Sequence, residues 1–437
     1  MSIYNKKIET MERQELSKLQ LKRLQDMVDY CIDKVPFYKE SLRKAGINSG
    51  KQIKCLSDIS KIPFTTKADI ANNYPKGLLA VPMEEIARIH ASSGTTGKPK
   101  IGYYTKNDLE TWSEITARVL SLNGLTSNDI IQISFGYGLF TGAFGFHHGA
   151  EKIGTTIIPA SAGDSKKQLI MMHDIGVTTL MATPSYAVYL SELIKNSDIP
   201  ISEFKVNRVI VGAERCTKSM KEMIERNIGC EVFDVYGLTE CFGPGVAGEC
   251  EYHNGMHISE DIFYPEIIDV KTGEVLEDGK QGELVFTSLY REAAPLIRYR
   301  TGDITSLTHE KCKCGRTSVR MKAPFARVDD MFVFKGINIY PTQVEHILDK
   351  ISGISPHYLI KLERKDYIDT ATLYIELEEQ KENYSEYNIR RIRKEIKDKL
   401  EETIIVKMNI ELVEPNTLER FTGKSKRVED LRYVAES

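Results

Sequence analysis

Ser92-Ser93-Gly94-Thr95-Thr96-Gly97-Lys98-Pro99-Lys100 is the stretch from which the rest of the chain can be read. Hydroxyls and glycines alternate, and lysines follow. Glycine lets a backbone approach an anion closely, and exposed N–H groups with Ser and Thr hydroxyls donate to phosphate oxygens. It is not a Walker A loop, which needs four residues between its glycines and Ser or Thr after its lysine. Here only Thr95 and Thr96 separate Gly94 from Gly97, and Pro99 follows Lys98. Alone, such a run also describes a flexible surface turn. The lysines and the short apolar run before it favour an anion site.

Around this loop, from about 88 to 215, short apolar runs alternate with helical stretches. Ile130 to Ile133, Thr155 to Ile158 and Arg208 to Val211 are such runs, each closed by Gly or Pro. That rhythm predicts parallel sheet with crossover helices. Upstream, Leu16, Leu19, Leu24, Met27, Val28 and Cys31 recur at helical spacing, so one helix is expected over about 8–34, stopped by Pro36. Composition changes near 326. Beyond it Leu373, Ile375 and Leu377 alternate, Ile389, Ile392, Ile396 and Leu400 mark a helix face, and Val406, Met408, Ile410 and Leu412 alternate again. This predicts a small α+β domain.

The 437 residues suit two or three domains, and 41% apolar content supplies a large core. A net charge of −3 with mixed signs lacks the basic footprint of a nucleic-acid binder. The first residues, MSIYNKKIETMERQEL, carry no secretory signal, and no apolar run is long enough to span a bilayer. A cytoplasmic protein without nucleic-acid or membrane partners is expected, its eight cysteines reduced. Cys31, Cys55, Cys216, Cys230 and Cys241 are expected to be buried fillers.

Four distant segments accompany the loop: YGLTE (Tyr236 to Glu240), YRTGD (Tyr299 to Asp303), ARVDDMFVFKGINIYPTQVE (Ala326 to Glu345) and FTGKSKR (Phe421 to Arg427). In this order and spacing they resemble the adenylate-forming superfamily of acyl-CoA synthetases, peptide-synthetase adenylation domains and luciferases. SFGYGLFTGAFG, YGLTECFGPGVAGEC, FYPEIID, GELVFTSL and GINIYPTQVE look most like the phenylacetate–CoA ligase branch. The resemblance covers nearly the whole chain. It implies an α/β fold: a large N-terminal domain, 1–326, of mixed, largely parallel β-sheets and helices, and a small mobile C-terminal α+β domain, 327–437. It implies activation of an aryl carboxylic acid by ATP to an acyl-adenylate, then transfer to coenzyme A.

Carboxylate and ATP are both anions, so catalysis is mainly positioning and charge neutralisation. By the resemblance, Ser92, Ser93, Gly94, Thr95, Thr96 and Gly97 hold the β- and γ-phosphates, with Lys98 or Lys100 adding charge. Thr239 donates to the α-phosphate and Glu240 binds Mg²⁺, a hard cation that prefers oxygen. Tyr236 lies against adenine, with Gly212, Ala213 and Glu214 on its other side. Asp234, Gly237 and Arg327 complete the nucleotide site. Asp303 accepts from the ribose hydroxyls. Lys424, on the small domain, is the implied catalytic lysine, with Lys426 its neighbouring rival. Asp329 is the implied hinge. Ala326 stands where the family commonly has Gly, which bears on local backbone geometry.

Phe135, Tyr137, Phe140, Phe144 and Phe146 fall close together among glycines. Glycines beside aromatics leave slots for a planar ring. By the resemblance Tyr137, Phe140, Gly212 and Ala213 line the acyl pocket, while His147 and His148 read as structural. Cys312 and Cys314 form a CxCG turn, to which two more soft ligands would complete a tetrahedral Zn²⁺ site. Cys250 and His257 are favoured, His253 is the alternative to His257, and free surface thiols are the competing account. Transfer to a carrier-protein pantetheine or an amine, or a non-catalytic nucleotide-binding regulator, are the rival functions. A homodimer is compatible with the resemblance.

Overall fold

The computed structural model describes residues 3–92, 99–324, 326–328, 332–334, 337–365, 368–404, 406–421 and 426–432. The chain forms two compact units. The first comprises Met1–Ala182, Ser202–Ala213 and Glu231–Pro324, and the second Thr183–Ile201, Glu214–Cys230 and Phe325–Ser437.

In the first unit the expected single N-terminal helix is two, α1 (Lys6–Glu9) and α2 (Arg13–Lys34). The Asn5 side chain caps α1, and Thr10 ends it by donating its hydroxyl to the Lys6 carbonyl at 2.7 Å. Pro36 does more than stop α2. It opens α3 (Pro36–Lys44) at the first turn, where its missing N–H costs nothing. Along α2, Arg13 reaches Glu260 at 2.5 Å, the Gln20 amide donates to the Glu260 carbonyl at 3.0 Å, and Arg23 approaches Asp261 at 3.6 Å.

After α4 (Lys67–Asn72) comes a hairpin, β1 (Arg88–Ser92) with β2 (Lys100–Tyr104), then α5 (Lys106–Leu122). Next are β3 (Ile130–Ile133), α6 (Thr141–Ile153), β4 (Thr156–Ile158), α7 (Ser165–Ile175) and β5 (Thr179–Ala182). β6 (Arg208–Gly212), β7 (Glu231–Leu238), β8 (Gly243–Glu249) and β9 (Met256–Ile258) follow. β3 to β7 pair in parallel, as the apolar runs predict. All four residues of β5 are buried, as suits a strand covered on both faces. β8 then turns the sheet antiparallel, and β9, with β13 (Leu307–Thr308) and β14 (Arg320–Met321), completes nine strands in the order β13-β14-β9-β8-β7-β6-β5-β3-β4. β10 (Phe263–Ile268), β11 (Gly282–Ser288) and β12 (Tyr299–Thr305) make a separate antiparallel sheet.

That sheet carries a buried ion pair. Arg298 grips both Glu266 oxygens at 2.8 and 3.1 Å, and the two side chains are 3% and 2% exposed. Its remaining donor serves the Ile62 and Ser60 carbonyls, and Phe64 lies 4.0 Å under the guanidinium. Removing one partner strands the other charge. Glu266→Ala is therefore expected to cost ~3–5 kcal/mol in urea unfolding. A change under about 1 kcal/mol, the value of a solvated pair, would refute this.

In the second unit α8 (Pro184–Lys195) and α9 (Lys218–Ile228) pack together, each capped by a threonine, Thr183 and Thr217. After the short strands β15 (Ala326–Arg327), β16 (Phe332–Phe334) and β17 (Ile337–Ile339) come α10 (Pro341–Leu348), β18 (Ile354–Lys365), β19 (Ile368–Leu377), α11 (Glu386–Ile404), β20 (Asn409–Val413) and β21 (Val428–Asp430). The sheet order is β20-β19-β18-β21. Leu373, Ile375 and Leu377 meet Ile392, Ile396 and Leu400 of α11 in one core. Val406 and Met408 join that core but precede β20.

Among the described residues no helix is long and apolar enough to cross a membrane. None of the eight cysteines, all among the described residues, is in a disulfide. Cys31 and Cys241 are buried as expected, but Cys55 is exposed, and Cys216 and Cys230 are only half-buried. Cys55 sits at a helical turn start beside Ser57, where its thiol meets a hydroxyl at 3.1 Å.

Candidate active site

The β1–β2 hairpin brings Ser92 opposite Lys100. Between them Ser93, Gly94, Thr95, Thr96, Gly97 and Lys98 lie outside the described residues, as do Asp329 and Lys424. Lys100 reaches Glu240, Nζ to Oε1 at 2.8 Å, and the Tyr299 hydroxyl donates to the same oxygen at 2.8 Å. Glu240 sits in the short turn after β7, and Arg291 donates to its backbone carbonyl at 2.6 Å. Burial pushes the Glu240 carboxyl up. The Lys100 ammonium and the Tyr299 hydroxyl outweigh it and hold the group below its ordinary value. The carboxylate is thus kept charged inside the protein.

Two glycines make this turn possible. A Cβ on Gly237 would collide with the Gly243 carbonyl. Gly243 has φ +118, and a Cβ there would lie 2.8 Å from both Thr141 and Trp112. Thr239, beside Glu240, lies 3.3 Å from the Thr141 hydroxyl at the start of α6. Tyr236, on β7, donates to Asp303 on β12 at 2.5 Å, so the YGLTE and YRTGD segments converge across two sheets. Asp303 is buried, and its N–H donates to the Thr301 hydroxyl at 3.0 Å. The Asp234 backbone N–H is held by Glu249 at 3.0 Å.

Gly212 ends β6 opposite Val235, and Ala213 follows with φ 73. Glu214 and Arg327 belong to the second unit, where Glu214 accepts from the Ser185 N–H at 2.7 Å and Arg327 lies on β15. Sequence reasoning did not assign Tyr299, Arg291 or Thr141. A signal existed for Tyr299: it is four residues before Asp303 on one strand, so both side chains share a face.

The aromatic cluster divides. Phe135 and Phe146 stack at 5.3 Å inside the core. Tyr137 is half-buried, edge-on to Phe144 at 5.3 Å, with its hydroxyl 3.0 Å from His147 Nδ1. Burial and then the Glu151 charge push its phenol well above the ordinary range. Phe140 is exposed at the start of α6. His147 and His148 both engage Glu151, at 3.3 and 2.8 Å.

A second cluster gathers Cys250, His257, Cys312 and Cys314, whose donor atoms lie within 4.8 Å of one another. Cys250 and Cys312 sulfurs are 3.6 Å apart, and Cys314 Sγ is 3.4 Å from His257 Nε2. Gly315, at φ +85, closes the CxCG turn, and Ser318 orients His257 through Nδ1 at 3.1 Å. His253 instead bridges Glu249 and Glu231, at 3.1 and 3.0 Å.

The AMP-binding enzyme family matches residues 16–289, and the AMP-binding enzyme C-terminal domain matches 336–432. The chain is 41% identical to phenylacetate-coenzyme A ligase of Thermus thermophilus, over 98% of this chain and 100% of that protein. This chain belongs to the AMP-binding enzymes, in the phenylacetate–coenzyme A ligase family. The Escherichia coli phenylacetate-coenzyme A ligase is 39% identical over 98% of this chain and 97% of its own length. A 2-hydroxyisobutyryl-CoA ligase crystallised in its postadenylation state with R3-HIB-AMP superposes with a TM-score of 0.89 at 27% identity, over 98% of this chain and 92% of that one. The same ligase in its thioesterification state, with 2-HIB-AMP and CoA, gives 0.71 at 28% identity over the same shares. The enzyme is therefore an AMP-forming acid–CoA ligase. It makes an acyl-adenylate from ATP and then a coenzyme A thioester.

Proposed function

We propose that the acid is an aryl acid of the phenylacetate kind. The observation that carries this is Tyr137, a half-buried ring edge-on to Phe144 and three residues before the exposed Phe140 in sequence. The phenylacetate-coenzyme A ligase relatives support the same substrate class. Apolar rings with a hydroxyl tied back to His147 offer a flat face to a planar substrate.

In this reading residues 1–326 form the nucleotide and acid domain and 327–437 the mobile one, turning at Asp329. Ser92 to Lys98 cradle the outer phosphates. Tyr236 and Asp303, already joined, receive adenine and ribose, with Gly212, Ala213, Asp234 and Gly237 of the same unit. Glu214 and Arg327 are nucleotide-binding residues by the family resemblance. Thr239 donates to the α-phosphate, and Lys424 neutralises charge that develops during adenylation. Mg²⁺ fits Glu240, a buried carboxylate kept charged by Lys100 and Tyr299. The ion, when bound, would neutralise phosphate charge.

Zinc fits the cysteine cluster. Two thiolates at ~2.3 Å from a tetrahedral zinc stand ~3.8 Å apart, and the Cys250 and Cys312 sulfurs are at 3.6 Å. Cys250, His257, Cys312 and Cys314 would fill all four positions, so the ion is structural rather than catalytic.

A pyrophosphate-release screen of aryl and aliphatic acids, with and without coenzyme A, tests the substrate class. Arylacetates are expected to lead. Tyr137→Ala is expected to lower kcat/KM for the best aryl acid ~10–200-fold and for a short aliphatic acid much less. Preference for an aliphatic acid in the native enzyme would overturn the reading.

A further inference from the structure

The turn that carries Thr239 and Glu240 runs on through Phe242, a buried phenylalanine at φ 69 and ψ −35. A positive φ is rare for a side chain of that size, and such a residue persists only where its surroundings over-determine it. Here three donors from other segments hold alternate carbonyls. Arg291 Nη1 donates to that of Glu240 at 2.6 Å, the Tyr104 hydroxyl to that of Phe242 at 2.7 Å, and the Trp112 indole to that of Pro244 at 2.8 Å. Tyr104 and Trp112 stack on each other at 5.0 Å.

Arg291 differs from the other two in carrying charge. It lies between β11 and β12 and is 2% exposed. Its guanidinium sits 4.7 Å from the Phe242 ring and 5.3 Å from the Tyr104 ring, and it also donates to the Tyr103 carbonyl at 3.4 Å. Among the described residues no carboxylate forms an ion pair with it. A buried guanidinium without a counter-ion costs stability, so its placement calls for another reason. Tyr103 and Tyr104 end β2, the strand that Lys100 begins, and Lys100 and Tyr104 share a face of it. Arg291 therefore ties the turn to the strand from which Lys100 reaches the Glu240 carboxylate at 2.8 Å.

We propose that Arg291 is a positioning residue for adenylation: it pins the 239–244 turn to β2 and so keeps the Glu240 carboxylate aimed where Lys100, Tyr299 and Mg²⁺ meet it. This rests on the reading of Glu240 as the Mg²⁺ ligand. It adds that the ligand is aimed from behind, through its own backbone carbonyl. Side chains that orient a metal ligand tune the metal nearly as strongly as the ligand does.

The test uses full-length enzyme with its best acid, and reads acyl-adenylate formation as single-turnover pyrophosphate release over a range of Mg²⁺ concentrations. Arg291→Met is expected to slow this step ~10–100-fold and to raise the Mg²⁺ needed for half-maximal rate about tenfold. Binding of Mn²⁺ in the presence of ATP and no acid, followed by electron paramagnetic resonance, should weaken by a similar factor. Trp112 is the chain's one tryptophan and bonds the same turn, so its emission should shift in Arg291→Met. Arg291→Lys keeps the charge and one donor, and is expected to recover part of each loss. In the Glu240→Gln background Arg291→Met should add less than about twofold, because it acts through Glu240. Full additivity, or an unchanged Mg²⁺ requirement in Arg291→Met, overturns the proposal. If Arg291→Met fails to fold, Arg291→Lys decides alone, and a native Mg²⁺ requirement in it is the overturning result. Glu240→Gln separates the two readings. If it leaves the Mg²⁺ requirement unchanged, the metal reading falls and the proposal with it. If it raises that requirement while Arg291→Met does not, only the positioning role falls.

Discussion

Lys424→Ala is expected to lower the rate of acyl-adenylate formation by about a hundred- to a thousand-fold, the usual loss for one preorganised group facing transition-state charge. Transfer of a preformed acyl group to coenzyme A should change little. The reason is where charge moves. When a carboxylate attacks the α-phosphorus, two anions share one site and negative charge grows on the bridging and leaving oxygens. In the second step a thiol attacks an acyl carbon, and the phosphate charge is already in place on AMP. A mobile ammonium is needed once. Lys426, the neighbouring candidate, is exposed and lies 3.7 Å from Glu429, so Lys426→Ala should remain near wild type. Equal loss of both half-reactions in Lys424→Ala, measured by rapid quench, would remove the role.

Removing the proposed zinc should have the largest effect on stability. The four donors join β8 and β9 to the turn at 312–315, bridging 62 positions of sequence between Cys250 and Cys312. That turn also holds the N-terminus. Arg316 pairs with Glu9 at 2.5 Å, both side chains buried, and Thr317 bonds the Glu9 and Met11 carbonyls at 3.1 and 2.7 Å. Chelation, or Cys312→Ser with Cys314→Ser, is expected to remove several kcal/mol of apparent stability, roughly the binding free energy of the ion above its free concentration. New proteolytic cuts near residues 10–12 and 310–317 should accompany the loss. Native, chelator-free protein containing well under one zinc per chain would dispose of the site.

Much of this architecture was legible because the physics was local. The runs at 130–133 and 208–211 could be placed because strands buried on both faces need continuous apolar residues. Ile392, Ile396 and Leu400 announced α11 by their spacing. Pro36 stops α2 as read, but the start of α3 went unread, because the residue that forbids a helix interior also favours a helix start. Thr10 gave no warning that its hydroxyl would turn back and break the helix. The motifs singled out Glu240, Tyr236 and Asp303 as candidates, but not which side chains hold them. Lys100 and Glu240 are 140 positions apart, and no periodicity reports such a pair. Cys55 shows the same limit, because a thiol is apolar enough for a core and polar enough for a turn.

The anchoring of α2 on Glu260 and Asp261 bears on how the protein is born. Gln20 meets its partner 240 positions later, and Leu24, Val28 and Cys31 share a core with Phe263 and Phe286. During synthesis the first long helix must wait, greasy side uncovered, while more than half of the polypeptide leaves the ribosome. Contacts of such long range fold slowly and invite wrong partners. This enzyme should consequently depend on a chaperone when made quickly. A fragment ending before residue 260 should precipitate unless α2 is deleted from it.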